Sequence, residues 1–297
     1  MTDTTDQSRK GRVAVLGAGT MGAGIAQVAA TAGFSVALFD VSKGQLDKAR
    51  ASIAQSLEKL ASKAKIDAAT KDRALSSIVT YDSVEDASRD ASFVIEAAPE
   101  RMELKRELFT AVDRAAPADA LLASNTSSLS ITEIASVVRD PSRVMGMHFF
   151  NPVPLMELLE VVRGVRTTDA NVDRAVTFAK TLGKTAIVVR DFPGFATSRL
   201  GVVIGCEAIR MLEQGVASAE DIDRAMELGY RHPMGPLKLG DLVGLDVRLA
   251  ILEHLHAELG EQFRPPALLR QMVRAGKLGK KSGEGFYKWT ADGPQKP

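Results

Sequence analysis

Arg12-Val13-Ala14-Val15-Leu16-Gly17-Ala18-Gly19-Thr20-Met21-Gly22 places three glycines between a short β-branched run and a helical one. A G-x-G-x-x-G pattern alone carries little weight. Here a strand precedes it, a helix over 23–32 comes after it, and Asp40 ends the next strand, eighteen residues past Gly22. Each glycine has a physical task in such a unit. Gly17 permits the tight turn, Gly19 lets the backbone approach a pyrophosphate, and Gly22 lets helix and strand pack closely. The helix start at Thr20 and Met21 offers backbone N–H groups and a positive dipole end to phosphates. Asp40 can accept from both hydroxyls of a ribose and would repel a 2′-phosphate, so the expected cofactor is NAD rather than NADP.

Working outward from this unit, apolar runs recur at 35–39, 92–95, 120–123, 143–147, 157–162 and 185–189. Stretches with helical spacing separate several of them, at 43–65, 101–115 and 169–182. Strands alternating with helices predict an α/β fold, a Rossmann-type doubly wound parallel sheet with helices on both faces. From Asp191 the pattern changes. Asp191-Phe192-Pro193-Gly194-Phe195 reads as a turn, and the residues beyond it have helical period without a convincing strand. Ser218 leads a helix start whose first turn carries Glu220 and Asp221. The expected layout is a disordered tail over 1–10, a nucleotide-binding domain over 11–190 and a smaller all-helical domain over 191–297.

The chain has 297 residues, 45% hydrophobic and 25% charged, with a formal net charge of +1. This is the balance of a globular protein with a real core, and no global field argues for nucleic acid or an acidic membrane surface. One cysteine, Cys206, excludes an intramolecular disulfide framework and fits a reducing compartment. The opening residues lack the apolar core of a signal peptide, and no apolar run reaches membrane-spanning length. The expectation is a cytoplasmic protein that binds neither nucleic acid nor membrane. No His/Cys group has zinc spacing, so no metal is expected.

Ligands of open α/β sheets bind beyond the carboxyl ends of the strands. Three such ends are polar here: Glu96 with Glu100, the run Ser124-Asn125-Thr126-Ser127-Ser128, and His148. Moving a hydride off an alcohol requires a base for the hydroxyl proton, and histidine, which titrates near neutrality, suits that task. A carboxylate would orient the ring and stabilise its protonated form. Glu160 is the candidate, since strands joined through Asn151-Pro152-Val153-Pro154 can bring it near His148.

With these residues in place, the chain resembles the 3-hydroxyacyl-CoA dehydrogenase family. The likeness lies in GAGTMGAGIAQVAA, SNTSSLSI, HFFNPVPLMELLEVV, PGF, DIDRAMELGY, HPMGPLKLGDLVGLD and GKLGKKSGEGFYKW, and covers nearly everything past the tail. It implies reversible, NAD-dependent oxidation of an L-3-hydroxyacyl-CoA to the 3-oxoacyl-CoA, with short chains such as 3-hydroxybutyryl-CoA favoured. It implies His148 as base, Glu160 as its partner, and Ser127 bonded to the substrate oxygen near the nicotinamide. Glu100, Lys105, Asn151 and Lys281 match family contacts to the cofactor. Ser56 and Lys63 match contacts to coenzyme A. The helical domain is implied to pair two copies into a homodimer.

One position departs from the family. After PGF the pattern usually reads Asn-Arg-Leu, and this chain reads Ser198-Arg199-Leu200. The family's asparagine belongs to its active site beside the histidine, so Ser198 puts substrate placement in doubt. Two other functions stay open. An NADH-sensing protein without turnover would need the glycine loop and Asp40, but not His148, Glu160 and Ser127 together. A dehydrogenase of free hydroxy acids, like the lambda-crystallin relatives, would lack the HFFNPVP form.

Overall fold

The computed structural model describes residues 10–290 and 293–295. The expected tail lies outside the described residues, apart from Lys10, which already opens the first strand. The chain divides between Asp191 and Phe192 into two compact units.

The first unit holds eight strands: β1 Lys10–Leu16, β2 Phe34–Phe39, β3 Ile78–Tyr81, β4 Ala91–Glu96, β5 Leu121–Ser124, β6 Val144–Phe149, β7 Leu158–Arg163 and β8 Thr185–Arg190. They form one sheet in the order β3-β2-β1-β4-β5-β6-β7-β8. Its helices are α1 Thr20–Thr31, α2 Lys43–Ser62, α3 Ala68–Ser76, α4 Val84–Ser88, α5 Met102–Ala115, α6 Ile131–Ala135 and α7 Asp169–Thr181. Since β1 pairs with both β2 and β4, strand order reverses beside it, and a crevice opens at the carboxyl ends. That crevice is where the glycine loop lies.

Local chemistry explains the main helices. Ser42 caps α2 by accepting from the Gln45 amide, and Leu46, Ala49, Ile53 and Leu57 then recur on one buried face. Burying a leucine or isoleucine of this kind stabilises by roughly 1.5–3 kcal/mol. Polar residues cover the opposite face of α2. Gly24 in α1 lets the connection between β6 and β7 lie close on the helix: a Cβ there would stand 2.8 Å from the Val153 side chain.

The structure departs from an all-parallel reading at one pairing, beyond which β7 and β8 both run against the other six strands. β7 runs antiparallel to β6, with His148 opposite Glu160 in register. The cause is the short connection over 150–157, since a parallel crossover needs a dozen or more residues. The sequence pattern also passes over β3, whose four residues are too few to show a period.

The second unit contains α8 Thr197–Glu213, α9 Ala219–Arg224, α10 Pro236–Val243, α11 Leu245–Leu259 and α12 Ala267–Arg274 around its own apolar cluster. Ser218 caps α9 through the Asp221 amide. A short antiparallel pair, β9 Lys288–Thr290 with β10 Gly293–Gln295, adds to the expected helices. Among the described residues no helix is long and apolar enough to cross a membrane.

Candidate active site

The glycine loop is shaped by contacts that tolerate no side chain. Gly17 has φ +104°, and a Cβ there would stand 2.7 Å from the Ala97 carbonyl oxygen. A Cβ on Gly22 would fall 1.7 Å from the Gly17 oxygen. Above Gly19 the space is open, with nothing within 4 Å of such an atom, which leaves room for a ligand backbone. Gly19 N-caps α1 without any side-chain cap, so the first amides of the helix, among them Thr20 and Met21, lack acceptors from their own helix. A pyrophosphate matches that set.

Asp40 does more than wait for a ribose. Its Oδ2 accepts from the Ala18 amide at 2.9 Å and its Oδ1 from the Ser42 amide at 2.9 Å. Each carboxylate oxygen has further lone pairs for hydroxyls. Gln45 Nε2 donates to the Ala18 carbonyl at 3.0 Å, fixing the same loop from the other side. The residues present fit NAD, since the Asp40 carboxylate can still accept from ribose hydroxyls.

His148 and Glu160 meet as partners across β6 and β7. Nδ1 of His148 lies 2.7 Å from Glu160 Oε2. Both are buried, Glu160 fully so. A buried carboxylate held this close to an imidazole fixes the ring with Nδ1 as donor, which makes Nε2 the basic nitrogen. Phe150 tilts against the ring at 4.5 Å between centroids.

The serine run is anchored by acids. Glu100 Oε1 accepts from Thr126 Oγ1 at 2.5 Å and from the Ser127 amide at 3.0 Å, and lies 3.5 Å from Ser127 Oγ. Lys105, on the first turn of α5, is 1% exposed. Its Nζ lies 2.8 Å from Glu96 Oε1 and 3.2 Å from Glu100 Oε2. The lysine expected at the cofactor therefore stands beneath the surface, clamped between two carboxylates.

Three residues are not legible in the sequence as parts of the site. Glu96 reads only as a polar strand end, yet it is fully buried and holds Lys105. Asn125 accepts through Oδ1 from the Phe149 amide at 2.9 Å, tying the serine run to the residue after His148. Lys184 donates to the Val153 and Met156 carbonyls at 2.6 and 2.7 Å, pinning the loop that comes after His148. Burial pushes the Lys184 ammonium down, against the pull of Glu157. The signal for Glu96 and Asn125 is their place in polar strand ends, which tells nothing of their partners; Lys184 has no signal.

The remaining expected residues are dispersed. Ser56 lies half-buried on α2, and Lys63 is the exposed C-cap of that helix. The helical period puts Leu60 between them on one face, and Leu60 lines a cavity of about 360 Å³ with Gln27, Leu155, Met156 and Lys184. Asn151 is exposed at the start of the β6–β7 loop, in a cis peptide with Pro152. Ser198 stands in the first turn of α8, and Lys281 pairs with Asp246 at 2.6 Å, both in the second unit.

Comparisons with known proteins converge. The family model described as 3-hydroxyacyl-CoA dehydrogenase, NAD binding domain, matches residues 12–192. Its companion, described as the C-terminal domain, matches residues 194–289. A probable 3-hydroxybutyryl-CoA dehydrogenase of Bacillus subtilis is 47% identical over 93% of this chain and 96% of its own. A 3-hydroxybutyryl-CoA dehydrogenase of Clostridioides difficile is 44% identical over 94% of this chain and 99% of its own. The crystal structure of (S)-3-hydroxybutyryl-CoA dehydrogenase PaaH1 from Ralstonia eutropha superposes with a TM-score of 0.90 at 42% identity, covering 94% of this chain and 99% of that one.

Proposed function

The chain belongs to the 3-hydroxyacyl-CoA dehydrogenase family, and from that premise we propose that it oxidises a short L-3-hydroxyacyl-CoA, such as 3-hydroxybutyryl-CoA, to the 3-oxoacyl-CoA. The cofactor is NAD. The observation that carries the reading is the buried His148–Glu160 contact of 2.7 Å, in the same unit as a glycine loop shaped for a dinucleotide.

NAD, held by the glycine loop and Asp40, would supply the acceptor for the hydride of the hydroxyl-bearing carbon. His148 takes the hydroxyl proton on Nε2, while Nδ1 stays with Glu160, whose negative charge stabilises the imidazolium that forms. Ser127 donates to the substrate oxygen and holds it in line. Apolar neighbours, Phe150 among them, keep water from the proton and hydride path. In the reductive direction His148 returns the proton. Glu100 and Asn151 line the cofactor side, and Lys281 is a further cofactor contact in this reading. Ser56 and Lys63 meet coenzyme A along the α2 face that carries Leu60, with Lys63 as a point charge for a phosphate. A cytoplasmic homodimer, paired through the helices of the second unit, completes the proposal. Exposed Leu200, Ile204, Val243 and Val247 in that unit support a covered apolar face.

The test is NADH absorbance with a panel of 3-hydroxyacyl-CoA chain lengths and free 3-hydroxy acids as controls. Turnover should be confined to the thioesters and highest for short chains. Turnover of the free acids alone would replace this reading with the hydroxy-acid one. NADH binding without any turnover would replace it with a sensor.

A further inference from the structure

Glu96 ends β4 with no exposure to solvent, and neither the proton transfer nor the hydride transfer uses it. A buried carboxylate costs several kcal/mol in desolvation unless partners answer it. Glu96 has them on both oxygens. Oε1 accepts from Lys105 Nζ at 2.8 Å and the Ala98 amide at 2.7 Å; Oε2 accepts from Lys105 Nζ at 3.0 Å and Ser124 Oγ at 2.6 Å.

Separate paths lead from these contacts to one turn. Through Lys105 and Glu100, Glu96 reaches the Thr126 hydroxyl and the Ser127 amide. Through Ser124, whose Oγ accepts from the Thr126 amide at 3.2 Å, it reaches the same turn from below. Its own carbonyl accepts from the Asn125 amide at 2.7 Å, and Asn125 in turn holds the Phe149 amide beside His148. Glu96 therefore stands where the serine turn and the histidine strand are tied together.

We propose that Glu96 is a positioning residue for the reaction, setting the Ser127 hydroxyl against the substrate oxygen through Lys105–Glu100 and Ser124. It touches neither substrate nor cofactor. The proposal rests on the reading in which Ser127 meets the substrate oxygen. The negative charge matters because one ammonium is shared between two carboxylates. With a neutral amide at 96, Lys105 keeps Glu100 as its one charged partner, and an amide N–H must face either Ala98 N–H or the Lys105–Ser124 donors. The turn then loses its fixed reference. An error of about an ångström in such a group can cost on the order of a hundredfold, and a loosened turn is expected to cost about tenfold.

A double-mutant cycle with amide hydrogen exchange tests this. Glu96→Gln should lower kcat/KM for 3-hydroxybutyryl-CoA about tenfold when Ser127 is present, and less than about twofold in a Ser127→Ala background. Exchange at residues 125–128 should quicken about tenfold, while β1 and β2 keep their protection. Equal losses in both backgrounds, or unchanged exchange in the turn, would overturn the proposal and leave Glu96 an ordinary structural acid. Should Glu96→Gln fail to fold, Ser124→Ala cuts one of the paths with a smaller change. Its expected loss is about threefold, again absent without Ser127, and additive losses would overturn the idea equally. Exchange needs no turnover, so a protein inactive on every thioester would sink the functional reading while the turn's protection still decides the role of Glu96.

Discussion

Each unit holds a cluster of buried carboxylates. In the first, Glu96 pairs with Lys105 and Ser124, and the chain of contacts runs out through Glu100, 40% exposed, to the half-buried Ser127. In the second, Asp223 accepts from the Leu237 and Lys238 amides and the Tyr287 hydroxyl, while Asp241 accepts from the Phe286 and Tyr287 amides and Trp289 Nε1. Glu96, Asp223 and Asp241 are buried to a similar degree. The clusters differ in where they end. The second closes on itself: its donors are backbone amides at the start of α10 and before β9, the buried Tyr287 hydroxyl and the half-buried Trp289 indole. Burial of charge thus fails to mark a reactive site. A site is marked by a network that ends in half-exposed groups at the carboxyl ends of strands.

The contrast breaks most easily at His148. His148→Gln is the variant of choice, because alanine would leave Glu160 buried without its partner. The carboxamide can still donate to Glu160 but takes no proton from an alcohol. Turnover should fall by about 10²–10⁴, the usual range for a general base, with NADH affinity and melting temperature nearly unchanged. Near-normal turnover of His148→Gln would end the claim that the first cluster is the reactive one.

The next largest effect should fall on stability. Asp241 uses both oxygens, and burial pushes its carboxyl up against the opposing pull of Trp289 and the Phe286 and Tyr287 amides. Asp241→Asn turns an NH₂ group toward N–H donors and strands at least one of them. Each stranded buried donor costs about 1–3 kcal/mol, so a loss of about 2–4 kcal/mol is expected in chemical denaturation. Turnover per folded molecule should stay within about twofold, because the reactive groups lie in the other cluster. A variant with full stability and lost turnover would reverse the roles of the two clusters.

How much of these clusters is legible in the sequence depends on chain distance. His148 and Glu160 can be paired because the hairpin that joins them is local, although the reading of a parallel sheet misses the reversal that sets them in register. The glycine loop is legible because strand, turn and helix are contiguous. Lys105 looks like any charged residue of an amphipathic helix, and only the fold shows that it points into the sheet edge. Asp241 meets its donors 45 to 48 positions later, across a segment with no period to signal the meeting. Where the partner lies far along the chain, residue type alone says surface acid.

A smaller effect tests the cofactor end. Asp40 holds the loop amides of Ala18 and Ser42 and keeps lone pairs that ribose hydroxyls could use. Asp40→Ala should therefore weaken NADH by about tenfold, the scale of one or two hydrogen bonds, and should narrow its advantage over NADPH by at least as much. Fluorescence titration with both cofactors reads the two changes together. If the unmutated protein bound NADPH as tightly as NADH, the role given to Asp40 would fail.

The smallest expected effect concerns Ser198, where the chain leaves its family pattern. An asparagine carboxamide both donates and accepts, on a longer stem than a serine hydroxyl. The serine in the first turn of α8 offers a shorter group than the family's asparagine, and a water can bridge the remainder. Ser198→Asn should therefore raise kcat/KM for 3-hydroxybutyryl-CoA by a few-fold, and Ser198→Ala should lower it by no more than about tenfold, the scale of one modest hydrogen bond. Both variants should keep the melting temperature, because the side chain is partly exposed and caps nothing. Steady-state kinetics of the three proteins on one substrate decide the matter. If alanine abolished turnover and asparagine also impaired it, the serine would be fitted to a different substrate. The network ending at Ser127 would then be only part of the machinery that chooses the hydroxyl.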